Sequence, residues 1–281
     1  MRHHFASRRS VLVPLAAALT LDAGLSAAWA DETAQARPLD PVRALRLSQA
    51  AVGRTIGDYR FTDQSGAPLQ IASLRGRPIL ISYIYTSCGF VCPALTTRLK
   101  KVVTVARETL GKDSFTVLTV GFDARNDTPE QMRRYALERG ISVPGWYFVS
   151  ADQATVDRLA AEIGFVFVPA AGGFDHLAQV TIIDGDGRVY SQVYGPAFEP
   201  PLVVDPLKRL VLGKASGAHP VADLFDRVRL LCTAYDPRSG RYRFDYSLIL
   251  EIAIGLLCSL AVMTFVIRAW RQTRGSPSDP W

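Results

Sequence analysis

Cysteine is scarce in this chain. Cys88, Cys92, Cys232 and Cys258 are the only four in 281 residues, too few for a scaffold held by disulfides, so their placement carries more than their number. An excess of one charge is lacking as well. The formal net charge is +6, and with the two ends set aside the stretch 31–247 holds 26 basic and 23 acidic residues. That balance is too mild and too mixed for a nucleic-acid footprint. Histidine is nearly absent from the middle: His3 and His4 stand at the start and His219 in a stretch with glycine, proline and charge, which leaves His176. There is no internal repeat and no low-complexity segment. The 48% apolar content excludes intrinsic disorder, and the composition excludes a collagen-like chain. Roughly 200 residues between the termini suffice to bury a sizeable core.

The two ends indicate where the chain resides. Arg2, Arg8 and Arg9 form a basic start, 11–21 is an apolar run interrupted at Asp22, and Ala28-Trp29-Ala30 offers small residues where a signal peptidase reads. Residues 1–30 are therefore expected to be an export signal, with an uncleaved anchor as the other option; Ser7-Arg8-Arg9 loosely resembles a twin-arginine signal. Near the other end, 248–267 carries a single charge, Glu251. Twenty residues at about 1.5 Å each span the roughly 30 Å hydrocarbon core of a bilayer. Tyr242, Phe244, Tyr246 and Trp270 suit the aromatic belts at its two surfaces. Three arginines precede the span and three follow it, so charge counting leaves its orientation open. The export signal sets it instead: main domain outside, tail 268–281 inside.

Between these ends the pattern is α/β. Near-continuous apolar runs at 78–85 and 115–122 read as strands buried on both faces. Leu95, Leu99, Val102, Val103 and Ala106 recur at helical spacing within 93–110. Thr128-Pro129-Glu130-Gln131 is a helix start, with a cap and a proline in the first turn, and Gly140 ends that helix. Further strands are expected at 146–150, 179–184 and 188–194, a short edge strand at 165–168, a hairpin through 57–67, and helices at 153–163 and 201–212. Together these predict one domain over 50–212, a mixed central sheet flanked by helices. Residues 31–49 and 213–246 read as linkers to the signal and to a transmembrane helix at 247–267.

The chemistry centres on Tyr85-Thr86-Ser87-Cys88-Gly89-Phe90-Val91-Cys92-Pro93. A buried strand ends, a loop follows, and a helix begins with both thiols at its start. Free backbone N–H groups and the helix dipole favour thiolate there. A cysteine pair after a strand is a thioredoxin-like signal, but three intervening residues rather than two widen the bite and suit metal chelation at least as well. His176 precedes the 179–184 strand, in a loop that in a thioredoxin-like sheet packs against the cysteines. A disulfide exchanger usually carries a proline there, whereas this chain has His176-Leu177-Ala178. Two thiolates and one imidazole suit Cu(I) and keep Cu(II) acceptable, while structural zinc wants a fourth ligand.

These motifs, with Phe122-Asp123, Asp127-Thr128-Pro129-Glu130, Phe174-Asp175-His176 and Ile183-Asp184-Gly185-Asp186-Gly187, resemble the Sco/SenC family of copper-binding assembly factors of cytochrome c oxidase. The resemblance covers roughly 50–212. It implies a thioredoxin-like fold, copper held by Cys88, Cys92 and His176, and delivery of copper to the CuA centre of oxidase subunit II, reduction of that centre's cysteines, or both. Better-known members carry an N-terminal anchor. Here the anchor follows Cys232-Thr233-Ala234-Tyr235-Asp236-Pro237, a stretch similar to one in a bacterial branch with this layout, which leaves the client open to another copper-accepting membrane protein. Asp123 and Asp175 are candidates to orient the ligands, with a turn role as the alternative for Asp123. Cys232 reads as a membrane-proximal thiol, with an extra ligand or a resolving thiol as alternatives; Cys258 reads as a small packing residue and Thr128 as a cap. Three functions compete: copper chaperone, which is not an enzyme; membrane-tethered thiol–disulfide reductase using Cys88 and Cys92; and copper or redox sensor. A peroxide-reducing site is weaker, because it wants an activating Arg and Thr around one cysteine.

Overall fold

The computed structural model describes residues 38–213 and 233–274. The expected signal, His219, Cys232 and the end of the tail lie outside the described residues. The chain begins with helix α1 (Pro41–Gln49) and strands β1 (Arg60–Asp63) and β2 (Pro68–Gln70), followed by a 3-10 turn at Ile71–Leu74. Then come β3 (Ile79–Ile84), α2 (Val91–Leu110), β4 (Thr116–Gly121), α3 (Pro129–Glu138), β5 (Trp146–Ser150) and α4 (Gln153–Ile163). Strands β6 (Phe167–Ala170) and β7 (Gly173–His176) form a separate ribbon. After them follow β8 (Gln179–Ile183), β9 (Val189–Tyr194), α5 (Pro201–Leu212), β10 (Thr233–Asp236), β11 (Arg241–Phe244) and α6 (Ser247–Arg274).

Seven strands make the central sheet in the order β2-β1-β5-β4-β3-β8-β9. Strands β3, β4 and β5 are parallel, while β8 pairs antiparallel with β3 and β1 antiparallel with β5, so the sheet is mixed as expected. All six residues of β3 and all six of β4 are buried, because helices cover both faces of the parallel centre. Helix α3 begins as its sequence indicates, with the Thr128 hydroxyl accepting the Gln131 amide at 3.3 Å and Pro129 in the first turn. Helix α4 is capped by Asp152 and stops at Gly164, which lies in the left-handed region at φ 70°. A Cβ on Gly164 would come within 2.5 Å of the Leu47 carbonyl oxygen, so glycine here also admits α1 against the domain.

Two stretches expected as linkers hold ordered elements. In α1 the buried Ser48 hydroxyl donates to Gln179 at 2.8 Å and accepts from the Tyr194 hydroxyl at 2.9 Å. The β10–β11 hairpin rests on α2 and α5: the Tyr242 hydroxyl donates to Asp205 at 2.5 Å, the Lys208 ammonium to the Thr233 carbonyl at 2.7 Å, and Arg241 lies 4.0 Å from Glu108. The expected edge strand at 165–168 forms two residues later and pairs with β7, not with the central sheet. Within α6, Leu250–Arg271 is 22 residues long and contains an 18-residue stretch of mean hydropathy 2.4 in which no residue is buried, long and apolar enough to cross a membrane.

Candidate metal centre

Strand β3 carries the chain to Tyr85, at the carboxyl end of the parallel strands, and the loop 86–90 leads into α2. No side-chain oxygen caps this helix. The Cys88 sulfur takes that role instead, accepting the Cys92 backbone N–H at 3.3 Å. Burial works to raise the Cys88 pKa, but the amides of Cys92 and Phe90 and the Cys92 and Tyr85 side chains donate to the sulfur and outweigh it. The thiol is held below its ordinary value. Cys92 is fully buried, and burial above all pushes its thiol far up. The two cysteines are thus unequal: the Cys88 thiol is held low and is 9% exposed, and the Cys92 thiol is pushed up and fully buried. Both are free thiols.

His176 is the last residue of β7, paired with Phe167, so it sits on a strand rather than in the expected loop. Its Nδ1 lies 3.0 Å from the Leu177 carbonyl oxygen, which can only accept. The proton therefore resides on Nδ1 and Nε2 keeps its lone pair, which faces the Cys92 Sγ at 3.7 Å. Burial lowers the His176 pKa and keeps the ring neutral. The rings of Phe122, Phe165 and Tyr85 surround it at centroid separations of 5.4, 5.6 and 6.2 Å. A neutral imidazole with a fixed tautomer, beside two sulfurs, is the donor set of a soft metal.

The three side chains singled out in the sequence are therefore neighbours: His176 meets Cys92 sulfur to nitrogen, and Cys88 joins through the Cys92 amide. Among the described residues no group of three or more His, Cys, Asp and Glu is arranged as a finished metal cage. The expected orienting acids are less involved. The Asp123 carboxylate accepts from the Asn126 side chain at 2.7 Å within its own turn, and Asp175 is exposed, acting on His176 only through its charge. Cys258 lies on the exposed surface of α6.

Two residues that sequence reasoning left without a role shape the site. Tyr85 has its pKa pushed up to about 12, by burial and then by its hydrogen bond to Cys88, so it is a phenol donor to that sulfur. Gly173 makes room for it: at φ 152°, a Cβ there would come 2.7 Å from the Tyr85 oxygen. Asp127, only 1% exposed, accepts the Thr86 amide and hydroxyl, both at 2.7 Å, on one carboxylate oxygen and the Asp123 amide at 2.9 Å on the other. It ties the cysteine loop to the loop after β4. Gly121 permits this approach, since a Cβ there would meet the Asp127 Cβ at 2.5 Å.

The SCO1/SenC family model matches residues 48–212, more than half of the chain and every residue of this site. The chain belongs to the SCO1/SenC family. A Bacillus subtilis SCO1 protein homolog is 25% identical over 143 residues, 49% of this chain and 72% of that protein. Among solved structures, BsSco, a member of the Sco family of cytochrome c oxidase assembly proteins in which a disulfide switch was identified, superposes with a TM-score of 0.53 at 19% identity. It covers 58% of this chain and 96% of its own. Arabidopsis thaliana ScoI with copper bound superposes with a TM-score of 0.50 at 15% identity, covering 58% and 99%. At these identities the two structures establish the fold alone, which is thioredoxin-like. The SCO1/SenC family is one of copper-binding proteins associated with cytochrome c oxidase assembly, and α6 fits a membrane anchor.

Proposed function

We propose that this SCO1/SenC protein is a membrane-anchored copper metallochaperone that takes up one copper ion through Cys88, Cys92 and His176 and passes it to a copper-accepting membrane protein, the CuA site of cytochrome c oxidase subunit II foremost. The observation that carries the reading is the 3.7 Å approach of His176 Nε2 to Cys92 Sγ, with the other ring nitrogen engaged by Leu177. Copper is cargo here. Three protein donors leave coordination positions through which a client's thiolate displaces the ligands one at a time. Phe90, 80% exposed between the two cysteines, marks this end as open to a partner. In this reading 50–212 is the copper-binding domain, facing the periplasm, and 247–267 anchors it, with the tail 268–281 cytoplasmic.

The inequality of the thiols favours a second reading, thiol–disulfide reduction. The Cys88 thiolate attacks one sulfur of a client disulfide and expels the other as thiolate; Cys92 then attacks the mixed disulfide, releasing the second client thiol and leaving Cys88–Cys92 oxidised by two electrons. His176→Ala separates the two readings. Copper bound per chain is expected to fall sharply while dithiol exchange survives. Equal loss of both activities, or of neither, would count against the chaperone.

A further inference from the structure

The β10–β11 hairpin stands in the chain just before the apolar helix α6. Residues opposite each other in an antiparallel pair share a face. Tyr235 is opposite Tyr242, with ring centroids 5.4 Å apart, and both turn to the domain: the Tyr242 hydroxyl donates to Asp205 and the Tyr235 hydroxyl to Glu199 at 3.5 Å. The other face holds Ala234 opposite Arg243 and Asp236 opposite Arg241. Both arginine side chains are 70% exposed. Arg238, in the turn between the strands, is exposed as well, and its guanidinium hydrogen-bonds to no group among the described residues.

The protein itself engages these cations only loosely. Arg241 approaches Glu108 at 4.0 Å and Arg243 approaches Asp236 at 3.4 Å, and neither guanidinium makes a hydrogen bond among the described residues. Exposed ion pairs of that kind contribute little. No linker separates the hairpin from the helix. Strand β11 ends at Phe244, the Asp245 carboxylate accepts the Ser247 amide at 2.9 Å, and the Leu250 amide already donates to the Tyr246 carbonyl at 2.9 Å. From Arg243 to Leu250, where the candidate span begins, is at most about 19 Å, four residues of extended chain and three of helix. A headgroup layer takes up about 5–7 Å of that, and charges act across a further 8 Å or so of salt solution. The guanidinium groups of the hairpin are therefore within electrostatic reach of the bilayer surface. In the orientation proposed above the hairpin lies outside, whereas basic residues flanking a span gather at its cytoplasmic end. Insertion thus does not account for Arg238, Arg241 and Arg243, all within the nine residues before Ser247. The single acid in that stretch, Asp245, caps the helix.

We propose that the outer face of the β10–β11 hairpin is a docking surface for acidic phospholipid headgroups, with Arg241 and Arg243 on lipid phosphates and Arg238 extending the patch. A guanidinium matches a phosphate bidentately, which the lone carboxylate contacts seen here do not. Docking holds the hairpin, and the domain face it packs on, against the bilayer. The proposal rests on the reading of α6 as the anchor and does not depend on what the metal centre does.

The test uses the full chain in phosphatidylcholine vesicles that carry a trace of spin-labelled phosphatidylglycerol or, in parallel, of spin-labelled phosphatidylcholine. Electron paramagnetic resonance reads the fraction of each lipid held at the protein. Phosphatidylglycerol is expected to be favoured by about threefold at low salt, and the preference should shrink at about 1 M salt, where screening is nearly complete. Arg241→Gln with Arg243→Gln should remove about half of the preference or more, and Arg241→Lys with Arg243→Lys should keep most of it, since the charge stays. The tail arginines remain in place throughout, so any loss belongs to the hairpin. Circular dichroism checks folding; if the glutamine pair fails to fold, Arg238→Glu decides, because that guanidinium bonds to nothing in the fold, and it should lower the preference too. A wild-type chain that does not favour phosphatidylglycerol, or folded variants that keep the wild-type preference, would overturn the proposal and leave the anchor standing. A chain that alkaline carbonate strips from the vesicles would overturn the anchor reading, and the proposal with it.

Discussion

Replacing Asp127 by alanine should loosen the cysteine loop and cost measurable stability. The carboxylate is buried and accepts three hydrogen bonds, two from Thr86 and one from Asp123. Thr86 and Asp123 are half-buried, so water recovers part of what they lose. A net of about 1 kcal/mol per bond, less the relief of no longer burying a carboxylate, gives a loss of about 2–3 kcal/mol. In a domain of this size that lowers the melting temperature by roughly 4–12 °C, which thermal unfolding of the full chain followed by near-ultraviolet circular dichroism would detect. The pH dependence adds a second check. Burial raises the Asp127 pKa above 3.8 despite its three donors. The folded chain therefore keeps this proton to higher pH than the unfolded chain, and the group subtracts stability as pH rises through its folded value. Asp127→Asn keeps the shape and removes the charge, so it should destabilise less than alanine, and its deficit against wild type should narrow between pH 4 and pH 7. An alanine variant melting within about 1 °C of wild type, or an asparagine deficit that widens with pH, would refute this account of the loop.

Other outcomes follow from single contacts. Gly173→Ala places a methyl against the Tyr85 hydroxyl and forces a residue with a side chain to φ 152°, for a cost of about 1–3 kcal/mol; denaturant unfolding measures it, and a neutral result would mean that Tyr85 is not held where described. Limiting iodoacetamide should label Cys88 before Cys92, because the Cys88 thiol is held low and keeps a little exposed surface while the Cys92 thiol is pushed up and has none; peptide mass mapping after partial reaction reads the order, and the reverse order would contradict it. Asp63 accepts from Ser65 and Ala67, and although burial works to raise its pKa, those bonds outweigh it and leave it lowered. Its contribution is present above pH 3.8 and fades as pH falls through the lower folded value, so Asp63→Asn should destabilise at pH 7 and progressively less below pH 4 in denaturant titrations. A deficit constant with pH would argue against those bonds.

The strands at the centre of the sheet were legible because β3 and β4 are buried on both faces and their apolar runs have no interruption. The start of α3 was legible because its cap is local. The meeting of the three candidate ligands was legible through residue chemistry: a cysteine pair at a strand-to-helix turn and one histidine before a late strand. What escaped was non-local. Strand β7 is Gly-Phe-Asp-His, a stretch with no period of its own that becomes a strand only by pairing with β6. Helix α1 buries Ala44 and Ser48, a small residue and a polar one, and leaves Val42, Leu45 and Leu47 exposed, so its large apolar residues do not mark the buried face. Asp127 stands within a recognisable motif, but its bonds to Thr86, 41 positions earlier, have no signature along the chain. Tyr85 reads as the end of an apolar strand until its hydroxyl is seen against Cys88.

The central claim is that two sulfurs and one imidazole nitrogen hold a single copper ion. X-ray absorption at the copper edge, on the full chain loaded anaerobically with one equivalent of Cu(I), measures this directly. Two sulfur scatterers and one nitrogen scatterer are expected, with the nitrogen lost in His176→Ala and one sulfur lost in each of Cys88→Ser and Cys92→Ser. A first shell unchanged by the histidine substitution, or copper that does not stay with the wild-type chain through desalting, would contradict the account.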